Sequence, residues 1–158
     1  MPTRPEPAIC GYGEPVIWLL RHGEAEDHAI DDAARRLTPK GERQAREAGL
    51  ALARLGVTVD ACLTSPKERS AETARLACDA LAVEPEITEA LRGGDFDPAD
   101  LAAGRETVLL VGHEPDLSRA VQLATGARID LKKGGLAAIE RGILLALLRP
   151  RQIREIAG

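Results

Sequence analysis

Val16-Ile17-Trp18-Leu19-Leu20-Arg21-His22-Gly23-Glu24 passes from five apolar residues straight into an arginine, a histidine and a glycine. A nearly continuous apolar run of this length predicts a strand over residues 16–21 buried on both faces, as in a parallel sheet covered by helices. Thr107-Val108-Leu109-Leu110-Val111 followed by Gly112-His113-Glu114-Pro115 repeats the pattern. The chain has three histidines, His22, His28 and His113, so two of the three close an apolar run.

Between these two strands the patterning alternates. Thr38-Pro39 reads as an N-cap followed by proline at the first helical position, and Ala45, Ala48, Leu52 and Leu55 recur at helical spacing up to Gly56. Val57 to Leu63 reads as a second strand. Ser65-Pro66 repeats the cap-then-proline signal, opening a helix whose apolar stripe is Ala71, Ala74, Cys78 and Leu81. Residues 83–91 hold a short extended segment, and 92–104 a loop with at most one helical turn. Beyond the 107–111 strand, Glu114-Pro115-Asp116 opens a third helix ending near Gly126. Gly135 to Glu140 and Ile143 to Leu148, split by Arg141-Gly142, form a hairpin. Strands alternating with helices predict a single three-layer α/β/α domain over residues 16–158, with a mostly parallel sheet flanked by helices. Fifteen residues separate Leu91 from Thr107, too few for a large lid over the sheet. Residues 1–15, with Pro2, Pro5, Pro7 and Pro15 and no apolar core, read as a loose leader and not a signal peptide.

Composition excludes several function classes. The 158 residues carry a net charge of -4, so no clustered basic field for nucleic acid is visible. Aromatic residues are 2% of the chain, too few for a stacking platform. Cys10, Cys62 and Cys78 are odd in number and lack CxxC spacing, which points to a reducing compartment, with the cytoplasm as the expected address. No apolar stretch approaches the roughly 20 residues that span a bilayer.

Ligands of open α/β sheets collect at the carboxyl ends of the strands. Three such ends carry reactive groups: Arg21-His22, Ser65-Pro66 and Gly112-His113. Arg69, four residues beyond Ser65, lies one turn into the helix that Ser65 would cap and can face the same cleft. Two arginines, two histidines and a helix start suit a phosphoryl group. Guanidinium forks match phosphate oxygens, and a neutral imidazole can attack phosphorus. Neighbouring guanidinium charge should hold the nucleophile unprotonated at neutral pH.

Arg21-His22-Gly23-Glu24-Ala25, Leu37-Thr38-Pro39-Lys40-Gly41, Ser65-Pro66-Lys67-Glu68-Arg69-Ser70-Ala71-Glu72-Thr73 and Val111-Gly112-His113-Glu114-Pro115 together resemble, in order, the motifs of the histidine phosphatase superfamily. They are similar in particular to its short SixA-type phosphohistidine phosphatase branch. The resemblance implies that His22 is a transiently phosphorylated nucleophile and that Arg21 and Arg69 clamp the phosphoryl oxygens. It implies that His113 bonds the same group through the transition state, and that no metal or organic cofactor takes part. It also implies a general acid after the third strand, for which Glu89, Asp95 and Asp97 are candidates. A phosphohistidine on a signalling or phosphocarrier protein is the expected substrate, since its imidazole can leave already protonated. The rival readings are a broad small-molecule phosphomonoesterase with the same site and a non-catalytic module that binds phosphate or a phosphoprotein.

Other residues have plainer readings. His28 lies in a polar loop and should be solvated, as should Asp31-Asp32 and the group Asp95, Asp97 and Asp100, whose spacing matches no calcium loop. Cys62 belongs to the core. Thr38 and Ser65 are helix caps, with Ser65 also able to lend its hydroxyl to phosphate. Lys132-Lys133-Gly134-Gly135 is either an exposed turn or a contact to substrate or an acidic partner.

Overall fold

The computed structural model describes residues 14–158, so most of the segment expected to be a loose leader lies outside the described residues. The order of elements is β1 (Val16–Arg21), α1 (Pro39–Arg54), β2 (Ala61–Thr64), α2 (Glu68–Leu81), β3 (Pro85–Ile87), α3 (Pro98–Ala102), β4 (Thr107–Gly112), α4 (Asp116–Thr125), β5 (Leu136–Glu140), β6 (Ile143–Leu148) and α5 (Pro150–Ala157). The six strands make one sheet in the order β3-β2-β4-β1-β5-β6. β3, β2, β4 and β1 run parallel, β5 is antiparallel to β1, and β6 is antiparallel to β5. The sheet is thus mostly parallel, and the segment between β3 and β4 adds only α3 and a short 3-10 turn at Glu89–Leu91, with no large insertion.

The pleat sorts the core into two layers. Trp18, Leu20, Cys62, Leu109 and Val111 pack under α1, α2 and α5, against Ala48, Leu52, Ala74, Ala77 and Ile153. Ile17, Leu19, Leu63, Val108 and Leu110 face the other way, onto Ala102 of α3 and Leu117 and Val121 of α4. Alternate residues of one apolar strand therefore feed opposite faces, which is why the run had to be apolar throughout. α1 and α2 approach so closely that a Cβ on Gly49 would stand 2.1 Å from the Ala77 carbonyl oxygen.

Four local expectations change. The second strand starts at Ala61, because residues 57–60 form a loop in which the Asp60 carboxylate accepts from the amides of Glu106 and Thr107, both at 2.9 Å. α2 starts at Glu68 with Lys67 at the N-cap, so Ser65 caps no helix. Its hydroxyl instead accepts from the Lys67 amide (3.2 Å) in a tight turn. Asp32 is not simply solvated, as described below. α5, absent from the sequence reading, opens with Pro150 at its first turn and buries Ile153 and Ala157. By contrast Thr38 caps α1 as expected, accepting from the Gly41 amide at 3.1 Å. Arg141 and Gly142, both at positive φ, make the β5–β6 turn. No helix among the described residues is long and apolar enough to cross a membrane.

Candidate active site

Strand register assembles the site. Arg21 is the partner of Gly112 and Thr64 the partner of Val111, so β1, β2 and β4 end side by side. The next residues, His22, Ser65 and His113, follow these ends. The amide of His22 donates to the Gly112 carbonyl and that of Ser65 to the Val111 carbonyl, both at 3.1 Å. The rings of His22 and His113 lie with centroids 5.3 Å apart. His22, Arg69 and His113 are each 6% exposed and Ser65 is fully buried.

Each imidazole is fixed by hydrogen bonds. His22 Nδ1 lies 2.7 Å from the carbonyl oxygen of Gly23. A carbonyl only accepts, so Nδ1 carries the proton and Nε2 keeps the lone pair. His113 Nε2 shares hydrogen bonds with the hydroxyls of Ser65 (2.8 Å) and Ser70 (3.4 Å). Burial is the main cause that holds His22 down to about 4, with Arg69, Arg21 and Lys133 adding to it against the Gly23 hydrogen bond. His113 is lowered to about 3, again chiefly by burial and then by the charges of His22, Arg69 and Lys67. An imidazole neutral at neutral pH is thus found at His22 as expected, but desolvation contributes more than the guanidinium groups.

The arginines approach from two sides. Arg21, half-buried, donates from Nη1 to the Leu131 carbonyl at 3.0 Å, while burial lowers its pKa against the raising charges of Glu114 and Asp130. Arg69, the second residue of α2, donates to the Asp32 carbonyl (2.8 Å) and carboxylate (3.1 Å). Four buried side-chain atoms among the described residues have no hydrogen-bond partner: Nε of Arg21, Nε of Arg69, Nδ1 of His113 and Oε1 of Glu72. Three of the four belong to Arg21, Arg69 and His113, each of which is bonded within the protein through another nitrogen.

Several contributors were not assigned from the sequence. Asp32 pairs with Arg69, Arg35 and Lys67, which holds its carboxyl down to about 2. Thr73 accepts from the Gly23 amide at 3.1 Å and donates to the Arg69 carbonyl at 2.7 Å, joining both halves of the site through one hydroxyl. Gly23 and Gly41 allow the loop after β1 to lie on α1. A Cβ on Gly23 would stand 2.4 Å from the Gly41 oxygen, and one on Gly41 would stand 1.9 Å from the Glu24 oxygen. The Lys132–Gly135 turn is more than exposed surface: the Gly134 amide donates to the carbonyls of both Arg21 and His22, each at 3.0 Å. Gly23, Gly41 and Thr73 stand inside the stretches quoted above, but their partners lie too far along the chain to be inferred.

None of the three acid candidates contacts these side chains. Glu89 is at the sheet's β3 edge and pairs with Arg92 at 2.8 Å, which lowers its pKa. Asp95 pairs with Arg119 at 3.4 Å, and Asp97 caps α3 through the Ala99 amide. His28 is exposed and Cys62 is buried, as expected.

Comparison with known proteins places these features in a family. Residues 17–107 match the model of the histidine phosphatase superfamily (branch 1). An uncharacterised protein of Picosynechococcus sp. (strain PCC 7002) is 33% identical over 140 residues, covering 80% of this chain and 85% of that protein. The solved structure of the protein histidine phosphatase SixA complexed with tungstate superposes with a TM-score of 0.76 at 21% identity, over 86% of this chain and 97% of the other. The phosphoserine phosphatase of Entamoeba histolytica, in complex with 3-phosphoglyceric acid, gives 0.65 at 17% identity, over 88% of this chain and 99% of the other.

Proposed function

The chain belongs to the histidine phosphatase superfamily (branch 1) and is a phosphatase of that superfamily, and we propose that it removes the phosphoryl group from protein phosphohistidine through a covalent intermediate on His22. In this reading His22 Nε2 attacks phosphorus in line. The bond from phosphorus to the substrate's imidazole breaks as the new P–N bond forms, and the imidazole departs protonated. Water then attacks, the P–Nε2 bond breaks, and inorganic phosphate leaves with His22 neutral again. Arg21, Arg69 and His113 stabilise charge on the equatorial oxygens, and Ser65 holds His113. No metal or organic cofactor enters this scheme.

One observation carries the proposal: the His22 tautomer leaves Nε2 free, with the His113 ring 5.3 Å away and the charges of Arg69 and Arg21 acting on the same imidazole. The choice of phosphohistidine is favoured by the absence of Glu89, Asp95 and Asp97 from the site, since a protonated imidazole leaves without a general acid whereas an alkoxide needs one. The likeness to SixA supports it at the level of fold. The lack of a large insertion over the site suits a phosphohistidine presented on another protein, and because such a site also admits exposed phosphoesters, a small-molecule phosphomonoesterase is the competing reading.

Rapid quench with labelled phosphohistidine protein and labelled phosphoesters decides among these readings. The expected result is a burst of enzyme-bound label on His22, acid-labile and base-stable, with phosphohistidine turned over faster than phosphoesters. Preference for the phosphoesters would overturn the substrate assignment. Tight binding without label on His22 would establish a non-catalytic phosphate-binding module.

A further inference from the structure

Arg21 also lines a groove of about 900 Å³ whose other residues the mechanism does not use. It is lined by Lys40 at the start of α1, by Lys132 and Lys133 of the turn before β5, and by Arg149, Arg151 and Arg154 of α5 and its cap. With Arg21 these are seven of the chain's 21 basic side chains, against one carboxylate, Glu24, of its 25. A chain of net charge -4 thus concentrates positive charge in one place, at the mouth of the site.

The groove and the nucleophile share a wall. The Gly134 amide that holds the Arg21 and His22 carbonyls belongs to the same turn as Lys132 and Lys133. Glu24 is occupied by the Thr38 hydroxyl (2.8 Å) and Lys40 (3.9 Å). Lys132 holds Asp130 at 2.7 Å and Arg154 holds Glu47 at 3.7 Å. Lys133, Arg149 and Arg151 pair with no carboxylate among the described residues.

We propose, resting on the phosphohistidine reading above, that this groove docks acidic side chains flanking the phosphohistidine of the substrate protein. The cations stand on three separate elements around an open volume, whereas a second phosphate of a small molecule would need donors converging on one point. Three of them, Lys40, Lys132 and Arg154, already hold carboxylates while their own side chains remain about half exposed. The negative charge of the remaining chain opposes a long nucleic-acid strand. Such exposed contacts are individually weak, but their summed field speeds encounter, so the signature is a salt-dependent kcat/KM with little change in kcat.

The test has a binding arm and a kinetic arm. An unphosphorylated peptide of six glutamates, titrated at low salt into the ¹⁵N-labelled full chain, should shift the amides of Lys132, Lys133, Arg151 and Arg154. Lys132→Glu/Arg151→Glu should abolish those shifts. Two phosphohistidine peptides differing only in Glu or Gln flanks should differ about tenfold in kcat/KM at low salt. That ratio should approach one in about 1 M salt, where the Debye length is about 3 Å, and also in the double variant. Equal rates on both peptides, no shifts at low salt, or tighter binding of an oligonucleotide than of the glutamate peptide would each overturn the groove. Shifts confined to the groove with neither phosphohistidine peptide hydrolysed would support it as an acidic-peptide site while removing the phosphohistidine reading.

Discussion

The two ends of the central strands are built from similar residues and do different things. At the carboxyl end, His22, Arg69 and His113 are almost fully buried, and one side-chain nitrogen each of Arg21, Arg69 and His113 lacks a partner. At the amino end, a cavity of about 570 Å³ has Glu14, Asp95, Asp97, Glu140 and Arg141 in its lining, also charged residues. There Asp95 is paired with Arg119 and Asp97 caps a helix. Charge alone therefore does not mark a reactive site. The candidate site is set apart by the clustering of three such unpartnered atoms on Arg21, Arg69 and His113, each costly to desolvate unless a ligand satisfies it.

The comparison breaks or sharpens through five measurements. His22→Ala should abolish turnover and covalent labelling; a fully active variant would put the chemistry elsewhere. Arg69→Ala should lower kcat by about 10³, as for loss of an arginine that stabilises a phosphoryl transition state, while Arg141→Ala at the other end leaves it within twofold. Thr73→Val leaves the Gly23 amide and the Arg69 turn without their shared hydroxyl. It should cost about 1–3 kcal/mol in urea unfolding, with a smaller fall in kcat than Arg69→Ala.

Titration reads the same contrast. The unfolded chain protonates histidine near 6.5, whereas His22 and His113 in the fold take protons only near about 4 and 3. The unfolded state thus binds more protons below about pH 6.5, so stability should fall as pH drops from there, levelling once the folded rings protonate. NMR titration of the ring protons should place His22 near 4, and a midpoint near 6.5 would show an exposed ring. His22→Gln should flatten the fall in melting temperature between pH 6.5 and 4. The smallest effect is expected for Asp95→Asn and Asp97→Asn, with kcat unchanged within twofold; a large loss would bring the amino end into the mechanism.

Much of this was legible in order along the chain. The apolar runs Val16–Leu20 and Thr107–Val111 announced buried strands of a mostly parallel sheet, with both histidines where those runs stop, while their pairing as neighbours came from the fold. Thr38 signalled its own helix because a cap acts within three residues. Ser65 carried the same signal and misled, because its hydroxyl is taken by His113, 48 residues away. Asp32 read as solvated because Arg69, its partner, is 37 residues distant. α5 was missed because its apolar residues are few, and its stability comes from packing Ile153 and Ala157 into the core beneath α1.

Local chemistry by itself determined the strands, most helix boundaries, the ordered motifs and the types of reactive side chain, since periodicity, caps and turn residues act over a few positions. Tertiary structure alone decided which ring nitrogen is free, how deeply both imidazoles are desolvated, which carboxylates stay out of the site, and that α5 brings its arginines to the Lys132–Lys133 turn. Those properties depend on groups that meet only when strand ends align and helices close over them, and no run of neighbouring residues encodes such a distance.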